Sequence, residues 1–381
     1  MNVLLPVAVL IFLLVLLVIL ELEWGLHHMR DLAGTPFPPA ESPLVSILFT
    51  ALNEEKNIEQ GIRSLLALEY DNLEVIAVND RSTDSTGMIL DRLQQEDPRL
   101  RVIHISDLPD GWLGKNNALY NAAGKATGEY LLFTDADVVM EKTVLSRAMQ
   151  YMITNRLDHL SLMFDIRQTG SMVLNTVVLE FAGGIFWTFK PWKVKTAGDK
   201  HYMGVGAFNL ITSKAYEAVG THKAIAMCPV DDIALGKKVK EHGFSQDCLL
   251  GGDFLCVPWY QSLSEMVIGL EKNIYAGLDF NFYKAVAAIV VQIMIGILPL
   301  WAVFFTGGAT RLLFTLTLLL RFMSFAWTST RSSYKSWHAI ATLITPYITT
   351  YITIRAVSKT LYQGGIYWRG TFYSLKELKK I

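Results

Sequence analysis

Residues Tyr130-Leu131-Leu132-Phe133-Thr134 form an apolar run that stops abruptly at Asp135-Ala136-Asp137. A short apolar run of this kind reads as a central strand of a parallel sheet, buried on both faces. Residues two apart on a strand share a face. If strand geometry persists to the last residues, Asp135 and Asp137 leave the sheet together at its carboxyl edge, where open α/β sheets bind ligands. Two readings are open for the pair. They are solvated loop aspartates, or hard oxygen ligands sharing a divalent cation such as Mg²⁺ or Mn²⁺ that arrives with a diphosphate. The surrounding pattern has to decide.

That pattern alternates. Val45–Thr50, Leu73–Val78 and Leu100–Ile105 read as strands. Between them, Ile58, Ile62, Leu65 and Leu66 recur at helical spacing, and Ser82-Thr83-Asp84-Ser85 precedes a helix through Leu93. A further helix from about Lys115 to Ala126 leads into the run ending at Asp135, and Asp231–His242 reads as a later one. Strands separated by single helices predict βαβ units and a mostly parallel, Rossmann-like sheet.

Composition sets the wider frame. At 51% hydrophobic and 18% charged, the chain is too apolar for an ordinary soluble protein and too polar for a pure membrane bundle. The net charge of -1, without a sustained basic run mid-chain, argues against a nucleic-acid partner. Cys228, Cys248 and Cys256 form neither a C-x-x-C pair nor a metal spacing, which suits a reducing cytosol.

The apolar run Val3–Leu20 is long enough to cross a bilayer. No Lys or Arg precedes it, and Glu21-Leu22-Glu23-Trp24 follows, so it reads as an anchor and not a cleaved signal peptide. His27, His28 and Arg30 beyond it place that side in the cytosol. The expected organisation is an anchor over 1–22, a linker over 23–43 that includes the Pro-rich stretch Thr35–Pro43, an α/β domain over 44–270, and a membrane region with a basic tail over 271–381. Ser171–Trp192 reads as an interfacial segment or a buried core helix, with both readings open. Apolar runs follow at Ala285–Phe305, at Leu312–Trp327 with Arg321 inside it, and at Ala339–Ile354 with Pro346 inside it. The tail carries Arg355, Lys359, Arg369, Lys376, Lys379 and Lys380 against Glu377, which predicts a cytosolic C-terminus. Three full crossings would put that tail outside, so the last run is expected to be re-entrant or interfacial. The expected location is the cell membrane, multi-pass, with the α/β domain cytosolic.

Acidic clusters fall at the ends of the predicted strands. Asn53-Glu54-Glu55 follows the first, Asn79-Asp80 ends the second, Asp135 and Asp137 follow the fourth, and Asp231-Asp232 opens a later helix. Each alone is compatible with a helix cap; together on one sheet edge they describe a site.

These residues resemble those of the family 2 glycosyltransferases, which have the GT-A fold. The resemblance runs from about Leu44 to Leu270 and rests on Ala51-Leu52-Asn53-Glu54-Glu55, Val78-Asn79-Asp80-Arg81-Ser82-Thr83-Asp84, Gly111-Trp112-Leu113-Gly114-Lys115-Asn116, the Asp135/Asp137 pair, and Val230-Asp231-Asp232 with Leu235. The Gly-Trp-x-Gly-Lys segment and the tail Gly365–Tyr373 are similar to membrane-bound enzymes of the hopene-associated and carotenoid-acid type.

The resemblance implies an inverting transfer of a sugar from a nucleotide-sugar donor, a UDP-sugar, to a lipid-like acceptor at the membrane. It implies that Glu54 and Asp80 hold the base and ribose, that Lys115 lies near the nucleotide or its diphosphate, that Asp135 contacts the nucleotide and that Asp137 ligates Mg²⁺ or Mn²⁺. Asp232 corresponds to the catalytic base. Two departures stand out. The family's usual Glu-Asp is Asp231-Asp232 here. The Gln-x-x-Arg-Trp motif is absent, with Gly269-Leu270-Glu271-Lys272-Asn273 in the comparable place, where Lys272 could replace the Arg without its bidentate fork. That absence argues against a processive polysaccharide synthase, which remains an alternative alongside a non-catalytic membrane scaffold of the same fold. A nucleotidyltransferase would carry a glycine-rich basic loop where this chain has Asn53-Glu54-Glu55. Gly204–Asn209 is similar to a small-residue loop near the acceptor site and carries no assigned chemistry.

Overall fold

The computed structural model describes residues 4–37, 41–196, 198–257, 259–330 and 334–379. Pro38, Pro39 and Ala40 of the expected linker and Lys380 of the tail lie outside the described residues. The chain forms two compact units. One comprises residues 28–166 and 189–257; the other comprises 1–27, 167–188 and 258–379.

The first unit is the α/β one. With numbering through the whole chain, its strands are β1 (Val45–Ala51), β2 (Leu73–Asp80), β3 (Leu100–Ile105), β4 (Tyr130–Phe133), β5 (Val139–Met140), β6 (His159–Met163), β7 (Asp165–Ile166), β8 (Asn209–Thr212), β9 (Gln246–Leu250) and β10 (Leu255–Val257). Its helices are α2 (Ile58–Leu66), α3 (Thr86–Glu96), α4 (Gly114–Ala123), α5 (Val144–Thr154), α7 (Ser213–Ala218) and α8 (Asp231–Glu241). The main sheet has the order β3-β2-β1-β4-β8-β6-β9, and β5-β10-β7 form a small second sheet. β8 alone runs against its neighbours β4 and β6, and the remaining pairs of the main sheet are parallel.

A parallel strand covered on both faces has to be apolar throughout. Every residue of β1 is buried, and in β2 every residue but Glu74. Leu48, Ile76 and Val78 pack in one core with Ala118, Leu119 and Ala122 of α4 and with Leu235 and Val239 of α8. The chain proceeds from β1 outward to β2 and β3, then returns to the other side of β1 as β4. The strand order therefore reverses between β1 and β4, and a crevice opens beyond their carboxyl ends.

One expectation about β4 is corrected. The strand ends at Phe133, and Asp135 to Asp137 lie in an irregular stretch and turn, not on a strand face. Thr134 N still donates to the Leu48 carbonyl of β1 at 3.0 Å, and its Oγ1 donates to the Ala207 carbonyl at 2.8 Å. Burial still alternates, with Ala136 and Val138 buried and Asp135 and Asp137 partly exposed. Helix α2 seats the turn, because a Cβ on Gly61 would lie 2.3 Å from the Ala136 carbonyl oxygen.

The second unit contains α1 (Leu5–His28), α6 (Met172–Phe189), α9 (Leu263–Gly277), α10 (Phe282–Gln292), α11 (Leu298–Phe305), α12 (Gly308–Thr330), α13 (Thr345–Gln363), the hairpin β11–β12 (Gly365–Trp368, Thr371–Ser374) and α14 (Leu375–Leu378). A π-helical turn, Ile293–Ile297, joins α10 to α11. Helix α1 packs through Ala8, Ile11 and Val15 against Ala302 and Phe314. Arg321 faces protein: its Nη2 lies 3.1 Å from Glu180 Oε1 and its Nη1 donates to the Gly296 carbonyl at 3.2 Å. Pairing of this kind is how an ionisable side chain persists among apolar helices. Among the described residues, four helical stretches are long and apolar enough to cross a membrane: Leu5–His28, Met172–Lys193, Phe282–Phe305 and Gly308–Thr330. The pair Ser336–Leu343 and Thr345–Gln363 is bent by 59° at its break.

Candidate active site

The site lies at the carboxyl edge of the sheet. Beyond β1 and β2 the backbone takes two tight turns, with positive φ at Asn53 (57°) and Arg81 (59°). The two loops are laced together. Asn53 Oδ1 accepts from Thr83 N at 2.8 Å, Glu54 N donates to Thr86 Oγ1 at 2.8 Å, and Glu55 Oε2 accepts from Ser85 N at 3.1 Å. Asn53 and Glu55 therefore hold the loops together, and Glu54 is left half-buried between them. Asp80, 3% exposed, accepts both Arg81 Nε (2.7 Å) and Arg81 Nη2 (3.0 Å), a bidentate pair. Gly114, the first residue of α4, lets the helix approach this pair, since a Cβ there would lie 2.5 Å from Arg81 Nη2 and 2.7 Å from Asp80 Oδ2.

Lys115 follows at once, with its side chain 20% exposed. Its Nζ donates to Asp135 Oδ1 at 2.9 Å and lies 3.3 Å from Asp231 Oδ2. Burial alone would lower the Lys115 pKa, but the charges of Asp135, Asp231 and Asp232 outweigh it and hold the ammonium protonated. Asp232 Oδ2 accepts from the Gly206 N–H at 2.8 Å, and its Oδ1 accepts from the Ile233 N–H at 2.8 Å. Burial pushes the Asp232 carboxyl up to about 6, the neighbouring Asp231 charge adds to the rise, and Lys115 opposes it. One ammonium faces three carboxylates here, so the cluster is negative whenever Asp232 is ionised.

The loop before β8 carries two glycines that position this cluster. A Cβ on Gly204 would lie 1.8 Å from the Asp232 carbonyl oxygen, so α8 sits directly on that backbone. A Cβ on Gly206 would lie 2.9 Å from Asp135 Oδ2 and 3.4 Å from Asp232 Oδ2, which puts both carboxylates beside one Cα. Sequence reading left this loop without a role, because the need for a glycine depends on what stands opposite it. Asn116 was likewise unassigned. The two N–H donors of its buried Nδ2 are shared among the carbonyls of Ile225 (2.8 Å), Ala226 (3.1 Å) and Cys228 (3.0 Å), pinning the approach to Asp231 onto α4. His222 lies buried nearby, pushed down to about 3 by burial with the Lys115 charge adding, and is neutral.

Four of the residues singled out from sequence thus stand in one cluster or at its rim: Lys115, Asp135 and Asp232 directly, and Asp80 through Gly114. Asp137 lies two residues beyond Asp135, partly exposed. Lys272 lies in the second unit with its Nζ 3.8 Å from the centroid of the Trp368 ring, and the adjacent Glu271 pairs with Arg355 (2.7 Å) and Lys359 (2.5 Å).

Among the described residues, no group of three His, Cys, Asp or Glu side chains could hold a metal unaided. An ion of the Mg²⁺ type needs only one or two carboxylates when a diphosphate and water complete its shell. Asp135, partly exposed within the cluster, and Asp137, partly exposed two residues further on, fit that mode.

A sheet with this strand order and an acidic carboxyl edge at the switch point defines a GT-A fold. The architecture is similar to that of a mannosyltransferase from Pyrobaculum calidifontis solved with GDP-Man and Mn²⁺, at 15% identity and a TM-score of 0.57, covering 95% of this chain and 99% of that one. Residues 46–215 match the family Glycosyl transferase family 2, and the chain carries a family 2 glycosyltransferase domain. An uncharacterized glycosyltransferase of Haemophilus influenzae is 34% identical over 121 residues, covering 32% of this chain and 36% of the relative. A beta-monoglucosyldiacylglycerol synthase of Synechocystis is 30% identical over 204 residues, covering 50% of this chain and 38% of the relative. The chain therefore spans well under half the length of these two relatives.

Proposed function

We propose that this protein is an inverting glycosyltransferase that moves a sugar from a nucleotide-sugar, a UDP-sugar, to a hydroxyl or carboxyl acceptor held in a membrane. The observation that carries the reading is Asp232. It is oriented by two backbone N–H groups, shares the Gly206 gap with Asp135, and titrates near the pH at which a base must work. Inversion requires one displacement at the anomeric carbon, with the acceptor oxygen attacking from the face opposite the leaving nucleoside diphosphate. Asp232 takes the acceptor's proton as that bond forms. Asp135 lies next to Asp232 and therefore borders both donor and acceptor. Glu54 and Asp80 line the nucleotide end, with Asp80 fixed by Arg81. Asp137, with Asp135, would hold Mg²⁺ or Mn²⁺, which neutralises charge on the leaving diphosphate. Lys115 balances the carboxylates and keeps Asp232 ionisable.

The lipid-like acceptor is supported by the apolar helices and by a relative named for monoglucosyldiacylglycerol. The test is nucleotide release from UDP-glucose, UDP-N-acetylglucosamine and GDP-mannose, with and without membrane lipid extract. Release should require both donor and lipid, and a preference for GDP-mannose would overturn the uridine assignment. Excess EDTA should abolish release. Asp137→Asn should do the same with the unfolding midpoint unchanged, because a partly exposed turn carboxylate contributes little packing. Full turnover in EDTA would remove the metal from this scheme.

We read the chain as a multi-pass membrane protein with the α/β unit in the cytosol. Helix α6 carries no crossing in this reading, because the strands on either side of it, β6 and β8, are paired in one sheet. Helix α1, the α10–α11 stretch and α12 cross, and the bent pair ending in α13 dips in and returns, leaving the basic tail cytosolic. A cysteine placed at Lys379 should resist an impermeant thiol reagent on intact cells. Labelling there would make the last run a full crossing.

A further inference from the structure

A second cavity, of about 430 Å³, opens in the α/β unit away from the acidic cluster. Its walls are α5 and the strap of chain that follows α1. The strap is not a loose linker at this point. Leu250 N donates to the Arg30 carbonyl at 2.9 Å, Leu32 is fully buried, and Arg147 Nη1 donates to the Thr35 carbonyl at 2.5 Å. Tyr151 lines the cavity. Its hydroxyl donates to Asp247 Oδ2 at 2.7 Å and accepts from Arg30 Nη1 at 3.1 Å and Lys195 Nζ at 3.0 Å. Both cations also stand over the Tyr151 ring, at 5.9 Å for Arg30 and 5.1 Å for Lys195.

The lining is amphipathic. Gly34, Pro36 and the Tyr151 ring are apolar, and Arg30 and Asn155 are polar. Asp31 also lines the cavity, but its Oδ1 accepts from Ala33 N at 2.7 Å within the strap's own turn. Asp247 is matched by Tyr151, by Lys195 at 3.3 Å and by the Cys248 N–H at 2.8 Å. Arg30 is different. A guanidinium has five N–H donors in a planar fork suited to phosphate, and Tyr151 occupies one nitrogen of it. Arg30 is also tethered. It lies two residues past the end of α1, so its backbone is within roughly 7 Å of that helix end whatever the orientation of the unit. Trp24, exposed on the last turns of α1, is the kind of residue that marks a membrane interface.

We propose that this cavity binds the phosphate-bearing headgroup of a membrane lipid, with the phosphate on Arg30 and the glycerol end against Tyr151 and Pro36. The proposal rests on α1 being a membrane anchor and is independent of the sugar-transfer reading. The strap bonds to β9, the last strand of the main sheet, whereas Asp135 follows β4, three strands away, so the site is separate from the donor crevice.

The experiment uses the full chain in mild detergent, stripped of lipid and titrated with phosphatidylglycerol. Retained phosphorus is the readout. Wild type should retain lipid saturably. Arg30→Gln should weaken retention about tenfold, the loss expected for one charge-assisted contact. Gly34→Phe should do likewise by filling the cavity, and the backbone has room for a side chain because nothing lies within 4 Å of a Cβ there. Unfolding midpoints without lipid should match wild type for both variants. Wild-type retention in both would overturn the site. Equal affinity for glycerol 3-phosphate would assign the cavity to a free phosphoester and overturn the lipid source. Carbonate extraction of membranes reports the anchor separately: a chain released by carbonate sinks the anchor reading and the lipid source with it, whereas a retained chain that binds no lipid sinks the site alone.

Discussion

Asp232→Asn should slow sugar transfer by about 10²–10⁴-fold, the range for loss of a general base, while nucleotide-sugar affinity stays near wild type. The substitution keeps the shape of the side chain and removes its basicity. It also sets an amide between two backbone donors, the N–H groups of Gly206 and Ile233. One of those donors then faces an NH₂ group, which costs about 1–3 kcal/mol. The pH profile separates the two effects. In wild type the rate should rise through about pH 6, because below that pH Asp232 is protonated and cannot accept. In the variant this inflection should vanish. Donor affinity by calorimetry and transfer rate from pH 5 to 8 are the measurements. A variant that transfers at the wild-type rate would move the base to Asp231.

Lys115→Met should have the second large effect, and on stability as well as rate. It removes the ammonium that stands 2.9 Å from Asp135 and 3.3 Å from Asp231. Removing one partner of a buried ion pair costs about 3–5 kcal/mol, and the partial exposure of Asp135 argues for the lower end. Ionising Asp232 also becomes harder without the nearby cation, so the rate inflection should move above about pH 6. The sign follows from charge: an opposite charge favours the ionised carboxylate, and its loss raises the pKa. Urea unfolding and the pH profile of the residual rate are the readouts. Lys115→Arg should bring the inflection back toward the wild-type position. An inflection unmoved in Lys115→Met would show that this cation does not govern Asp232.

The α/β half of the fold was legible because its strands are buried on both faces and so read as apolar blocks. β3 falls where Leu100–Ile105 predicted it, and β1 and β2 extend by one or two residues beyond their predicted ends. The reversed strand β8 was not legible. Its four residues pair with β4 and β6 across long stretches of chain, and no local pattern encodes a partner that distant. β4 ends at Phe133, and beyond it the Thr134 hydroxyl donates to the Ala207 carbonyl, a contact invisible before the loop is placed. In the site, charged residues announced themselves by type and spacing. The residues that position them, Asn116, Gly204 and Gly206, did not. A glycine between two carboxylates looks like any turn glycine until the carboxylates are known to converge.

The grip of the Asn116 amide on three carbonyls has a mechanical consequence. Asn116 is the immediate neighbour of Lys115 on α4, and it grips the carbonyls of the segment that runs into Asp231 and Asp232. Lys115 reaches Asp135 and Asp231, and Asp232 follows on the first turn of α8. Both therefore hang from one turn of one helix. Any shift of α4 is therefore passed to the start of α8, so that Lys115 and Asp232 keep their spacing.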